Sequence, residues 1–388
     1  MIALALLATL QASPASTRQG EVVVTARALT DTERSWRECV ARRCPPDQEI
    51  AAALAHAENQ FVAGRYREAR STLIGAIGHV RGRERDFPVQ IGDLWRARSR
   101  IEAHLGETDQ AISAAAWSLS ALRAGLSDDD PRVLAQRIGV GDTMVRMGRV
   151  EAGLRVYEAV TARARRIGQP VVEGHALLRI ASVWTGLATR KGPIGPAMGE
   201  ARARIAALMR RSDPRLAPFR DAAELLSLKL DARKGDPEAI DRLIARFRGG
   251  ATERPLLIYA PPLDRDAWAG PRLEVIGADR VSAGGGFEKQ WIDVGFRITP
   301  DGRVEDAEVL RGSERLAGGW VEPVLAALRG RRYAPLKSVA LDSPGLMRVE
   351  RITYTSGYIV PTGTRIRQRS GEPIIVITDL TANPAPGG

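Results

Sequence analysis

Reactive side chains are scarce in this chain: two cysteines, four histidines and five lysines among 388 residues, with aromatics at 5 %. The histidines, His56, His79, His104 and His175, stand singly in stretches that read as helix. None has a second histidine or cysteine at i+3 or i+4, the spacing that would put two metal ligands on one helical face. They read as packed or surface histidines. Nor does the sequence hold a Gly-x-Ser-x-Gly elbow, a Walker loop or a Cys/His nucleophile pair. No catalytic residue, cofactor or metal is expected, and the chain reads as a non-enzyme.

Membrane-length apolar runs are also missing. The first sixteen residues, MIALALLATLQASPAS, carry no charge, but the apolar part ends near Leu10. Eleven residues as helix cover ~16 Å, against a hydrocarbon core of ~30 Å. Small residues at Ser13-Pro14-Ala15 follow, so residues 1–15 read as a secretory signal cleaved after Ala15, although no Lys or Arg precedes the apolar run. Export, rather than a stable membrane span, is the expectation.

Charge is plentiful but mixed: 57 Lys+Arg against 46 Asp+Glu, net +11. With no basic run of five, no nucleic-acid module and few aromatics to stack bases, this reads as a solvated basic surface and no nucleic-acid partner is expected. The acidic trio Asp128-Asp129-Asp130 before Pro131 resembles a magnesium site, but it fits better as the N-cap and first acids of a helix. The cysteines, Cys39 and Cys44 in RECVARRCPPD, are too widely spaced for a redox Cys-x-x-Cys. On a continuous helix they would lie ~140° apart, so a bridge requires the chain to leave the helix near Cys44, which Pro45-Pro46 makes easy. An exported chain favours a stapling disulfide over free buried thiols, and two ligands are half a zinc site.

From Asp47 onward the pattern is helical and punctuated. AHAENQFVAGRYREARSTLIGAI turns at Gly64. The phrase returns around Gly106 and Gly148, and more weakly around Gly192 and Gly235, at intervals of 42, 42, 44 and 43 residues. Pro88, Pro131, Pro170 and Pro214 mark the other joint, each at a new helix start. Gly64-Arg65-Tyr66 with Ala57, Ala69 and Ala76 resembles the tetratricopeptide repeat, with Gly153 in the small position of the third hairpin. The usual period is ~34 residues, so the longer beat here implies about one more turn per helix. The resemblance implies an α-solenoid over residues 47–248 with a groove lined by the first helix of each pair, and hence protein binding.

After Gly249-Gly250 the texture changes. Residues 249–286 read as a lead-in. In WIDVGFRITPDGRVEDAEVLRG, Trp291, Asp293, Gly295 and Arg297 alternate with Ile292, Val294, Phe296 and Ile298, giving a strand with one apolar face. Pro300-Asp301-Gly302 turns the chain and Val304–Leu310 returns. A helix with Trp320, Val321, Val324, Leu325 and Leu328 on one stripe runs into Tyr333-Ala334-Pro335. Arg348–Tyr354 then supplies a third strand. This order resembles the C-terminal domain of the TonB family over residues 287–360, with Val321 and Arg331 standing where that family has Asp and Trp. The fold class expected is therefore α+β: a helical solenoid followed by a small antiparallel sheet with a packed helix.

The resemblance implies a periplasmic location and a grip on outer-membrane transporters by β-augmentation, in which a strand adds to an exposed sheet edge. Val349, Arg351 and Thr353 would present that edge. Within residues 16–46, GEVVVTARAL at 20–29 is similar to the TonB box of such transporters, so Val22, Val23, Val24 and Thr25 are candidate pairing residues, in cis or in trans. Glu21 and Arg27 flank them as gatekeepers. In the tail, residues 361–388, the strand-like PIIVIT at 373–378 is an internal rival for the same edge. The function expected is a non-catalytic adaptor linked to TonB-dependent transport, with a box-type peptide, a transporter or its own N-terminal strand as partner. The alternative is a genuine energy transducer whose start lies further upstream, with its anchor missing here.

Overall fold

Proline opens four of the described α-helices of this protein, and left-handed glycines follow the ends of several. The computed structural model describes residues 28–189, 196–231, 255–261, 263, 272–274, 280–282, 286–287, 290–314, 316, 319–336, 343–361 and 365–381. The expected signal peptide, Val22–Thr25, and the turns at Gly192 and Gly235 lie outside these residues.

The first helix, α1 (Leu29–Ala41), is followed by α2 (Pro46–Val62), α3 (Tyr66–His79), α4 (Pro88–His104), α5 (Thr108–Gly125), α6 (Pro131–Arg146), α7 (Val150–Arg166), α8 (Pro170–Ala188), α9 (Ala197–Met209) and α10 (Ala217–Asp231). Leu29, read from sequence as the end of a strand-like stretch, is instead the first residue of α1. Pro46, Pro88, Pro131 and Pro170 each open a helix, and Pro214 opens a 3₁₀ turn before α10. Their missing N–H is one that a first helical turn leaves unpaired anyway. Asp130 caps α6 by accepting from the Arg132 N–H, as the acidic trio implied.

The turns at Gly64, Gly106 and Gly148 are built alike, with φ of +74°, +73° and +83°. In each, the glycine N–H reaches back to one carbonyl and the next residue's N–H to an earlier one: Gly64 to Phe61 and Arg65 to Gln60, Gly106 to Ala103 and Glu107 to Glu102, Gly148 to Val145 and Arg149 to Met144. This double closure needs a left-handed residue, which glycine supplies at little cost. Ala57, Ala69 and Ala76 are buried where the first hairpin's helices touch, and a Cβ on Gly153 would press on the Gly141 carbonyl. Cys39 and Cys44 form a disulfide across the α1–α2 joint. No helix among the described residues is long and apolar enough to cross a membrane.

Beyond the helices lie β1 (Leu257–Tyr259), β2 (Arg272–Glu274), β3 (Arg280–Ser282), β4 (Gln290–Ile298), β5 (Val304–Gly312), α11 (Val321–Arg329), β6 (Arg332–Tyr333), β7 (Leu346–Ile359) and β8 (Gln368–Asp379). Six strands form one antiparallel sheet in the order β2-β3-β8-β7-β4-β5, and β1 pairs with β6. The sheet thus reaches beyond both expected domain boundaries, into the lead-in and into the tail. One face carries Ile292, Val294, Phe296, Ile298, Ile352 and Tyr354 against Trp320, Val324, Leu325 and Leu328 of the α11 region. The Pro-Asp-Gly turn and the Tyr-x-Pro element are packed together. Tyr333 N–H donates to the Gly302 carbonyl at 2.7 Å, Leu336 N–H to that of Pro300 at 3.1 Å, and a Cβ on Gly302 would overlap the Tyr333 carbonyl.

Candidate functional site

The other face of the sheet is polar by sequence, yet it is covered by the tips of the first two helical hairpins. Trp291, Asp293, Arg351 and Thr353 share this face, and all are buried, with Arg351 at 0 % and Asp293 at 1 % exposure. Arg351 is held from several sides. Its guanidinium bonds Asp293 through both Nε and Nη2, donates to the carbonyls of Phe61 (2.6 Å) and Val62 (2.7 Å), and lies 3.9 Å from the Trp291 ring centroid. The two carbonyls belong to the last turn of α2, where the Phe61 carbonyl also accepts from the Gly64 N–H and the helix end leaves acceptor capacity open. A cation there meets the negative end of the helix dipole. Arg311 gives Asp293 a second guanidinium at 2.6 Å.

The turn glycines make this approach possible. A Cβ on Gly64 would overlap the Trp291 ring, and one on Gly106 would overlap the Ser356 carbonyl. Trp291 accordingly belongs to the apolar cluster of the first hairpin. Tyr66, expected only as a repeat mark, donates to or accepts from Thr353 Oγ1 at 3.0 Å. His104, at the end of α4, sets Nδ1 2.8 Å from Thr353 Oγ1 and Nε2 3.0 Å from Thr378 Oγ1. Hydroxyls can donate or accept, so the neutral ring is satisfied in either tautomer. Burial, reinforced by the charges of Arg351, Arg146 and Arg100, pushes the imidazole down to about 3. Arg369 completes the second tip, donating to the carbonyls of Leu105 (3.1 Å) and Ser356 (2.6 Å), and Arg367 pairs with Glu107.

Val349, Arg351 and Thr353 therefore do not offer an open edge, and that expectation is corrected. β7 is paired along both sides, with β4 at Gly295↔Val349 and Asp293↔Arg351 and with β8 at Arg351↔Thr378 and Thr353↔Val376. The internal rival, PIIVIT, occupies the edge first assigned to a partner. On the opposite face Glu350 takes Arg331 at 2.9 Å, so consecutive residues of β7 carry buried ion pairs on opposite sides. Arg331 is thereby used as a buried partner within this layer.

Welding the sheet to the tips builds a groove. A cavity of about 360 Å³ is lined by Leu54, Ala57 and Phe61 of α2, Ala97 and Arg100 of α4, and Leu380 just after β8. It opens along first helices of the repeats, where the solenoid reading expected a binding surface. At the far end of the helices Leu225 and Leu228 of α10 pack with Ile258 of β1 and with Ala334. The sheet region thus touches both ends of the helical stack.

Sequence reasoning missed Asp293, Trp291 and His104 as interface residues. One signal was available: an Asp and an Arg at the alternating, non-apolar positions of two adjacent strands. No protein-family model matches the chain, and no curated protein matches it. The solved structures that resemble it include two at low identity. One is a putative kinesin light chain with nearly identical TPR-like repeats from Podosopora anserina, 14 % identical, covering 47 % of this chain and 88 % of its own, with a TM-score of 0.37. The other is BtubC (BKLC) from P. vanneervenii, 11 % identical, covering 64 % and 97 %, with a TM-score of 0.39.

Proposed function

We propose that this protein is a non-catalytic adaptor that holds a protein partner in the groove between α2, α4 and the end of β8. The observation that carries the reading is the groove itself. It presents apolar floor residues (Leu54, Ala57, Ala97) beside charged rims (Glu58, Asp93, Arg96, Arg100), the mixture that peptide recognition on a rigid helical stack uses. Residues 1–15, with their secretory pattern, and the Cys39–Cys44 disulfide support a periplasmic location, since such bonds persist in oxidising compartments. The strand–turn–strand–helix–Tyr-x-Pro–strand order supports a TonB-like sheet and a link to TonB-dependent transport. With β8 lying on β7, any such link runs through another surface than the edge of β7.

The test is affinity capture from a periplasmic extract with three baits: wild type, Ala97→Arg in the groove floor, and Val171→Ser on exposed α8. A partner held by wild type and Val171→Ser but lost from Ala97→Arg supports the reading. Capture unaffected by Ala97→Arg, or no specific partner, contradicts it.

A further inference from the structure

A second, smaller cavity lies between the two tips, over the polar face of the sheet. It holds about 220 Å³ and is lined by the start of α3 (Tyr66, Arg67, Glu68), by Thr353 and Thr355 of β7 and by Arg369 of β8. Hydrogen-bond donors and positive charge converge on it. α3 is 14 residues long, and the N–H groups of a first helical turn have no carbonyl within the helix to bond. Arg65, the residue ahead of it, gives no side-chain cap, so the positive pole of the helix dipole meets the cavity without a capping oxygen. On the sheet side, Arg369 is fixed through Nη1 by the carbonyls of Leu105 and Ser356. Those two acceptors are uncharged and hold the guanidinium without neutralising it.

The hydroxyls of the floor are unequal. Thr353 Oγ1 is engaged by both Tyr66 and His104. Thr355, two residues further on the same face of β7, is 1 % exposed, and its Oγ1 has no hydrogen-bond partner among the described residues. That oxygen lies 2.9 Å from where a Cβ on Gly106 would stand, so it points from the sheet toward the tips, into the cavity it lines. A buried hydroxyl that no protein group satisfies marks a place for a guest. His104 brings no charge, since both ring nitrogens meet threonine hydroxyls and the ring is neutral. Glu68 is the one carboxylate among the described lining residues, and it is exposed, where water and salt screen it.

We propose that this cavity binds a tetrahedral oxyanion, phosphate or a phosphate monoester, which accepts from the first-turn N–H groups of α3, from Thr355 Oγ1 and from Arg369. Helix N-termini and arginine both favour such a group. The donors come from a helix and from two strands, an arrangement that suits oxygens pointing in several directions better than a planar carboxylate. The bound anion would tie α3 to β7 and β8 and so tighten the seam between solenoid and sheet. Among the described residues only His104 lines both this cavity and the groove of α2 and α4, and the inference stands whether or not that groove holds a partner.

Isothermal titration calorimetry of the full chain tests the site, with inorganic phosphate and glycerol phosphate as probes and chloride holding the ionic strength constant. Wild type is compared with Thr355→Val, which keeps the shape of the side chain and removes its hydroxyl, and with Glu68→Gln, which removes the carboxylate at the rim. Thermal melts establish that each variant is folded. The expected result is saturable binding of one anion per chain, weakened about tenfold or more in Thr355→Val and tightened roughly twofold or more in Glu68→Gln. The backbone N–H resonances of Tyr66, Arg67 and Glu68 are expected to shift along the same titration. Saturation by phosphate alone supports a site for the free ion, and saturation by both probes supports one for a phosphoryl group on a larger molecule. No saturable binding of either probe, or binding that Thr355→Val leaves unchanged, would overturn the proposal.

Discussion

The turns at Gly64 and Gly106 share their backbone bonds and positive φ with the turn at Gly148, yet the first two are sealed against the sheet while a Cβ at the third would meet no atom within 4 Å. One sequence mark thus serves two purposes. At every turn glycine lets the helix end in a left-handed residue. At the first two it also lets Trp291 and the Ser356 carbonyl approach the backbone, which no side chain would permit. The repeat explains why a glycine is there; only the sheet explains why nothing larger could replace it at two of the three positions.

The strongest way to break the sealed pair is to remove its ion. Arg351→Ala leaves Asp293 buried and takes a donor from the carbonyls of Phe61 and Val62, although Arg311 retains one contact, and is expected to cost about 3–5 kcal/mol in chemical denaturation. Next come the glycines. Gly106→Ala, which sets a Cβ against backbone, is expected to cost about 3 kcal/mol, and Gly64→Ala, which displaces the Trp291 ring, about 2 kcal/mol. Equal costs at all three turns would erase the distinction.

Acid offers a gentler probe of the same seam. The His104 ring titrates near 6.5 when unfolded, and in the folded chain it stays neutral down to about 3. Between those values the unfolded chain binds a proton that the folded one does not. Its contribution is therefore complete above pH 6.5 and falls by about 1.4 kcal/mol per unit as the pH drops. His56 and His175, also lowered by burial, act in the same direction. Urea melts at pH 6.5 and 5 are expected to show His104→Gln losing about 2 kcal/mol less than wild type across that interval. The smallest effect belongs to Gly148→Ala, which carries only the left-handed strain of about 1 kcal/mol.

Much of the helical stack was legible because its marks are local. Gly64, Gly106 and Gly148 end helices and Pro88, Pro131 and Pro170 begin them for reasons contained within a few residues. The apolar alternation of β4 and the Pro-Asp-Gly turn were legible on the same ground. The partner surface was not. Asp293, Arg351 and Thr353 have the pattern of a solvated strand face, and their burial depends on carbonyls at Phe61 and Val62, nearly 290 residues earlier. A polar face satisfied by distant backbone looks, in one dimension, like a face satisfied by water. PIIVIT was recognisable as a strand, but that it would claim the edge of β7 depended on a competition between edges, which no local pattern decides.

The central claim is that solenoid and sheet are one cooperative body joined at the first two tips. Native-state hydrogen exchange across a urea series tests it directly, by following α2 and α4 together with β4 and β7. One body predicts that the slowest amides of these four elements lose protection at the same urea concentration and with the same dependence on it. Loss of protection in β4 and β7 while α2 and α4 remain closed would contradict the account.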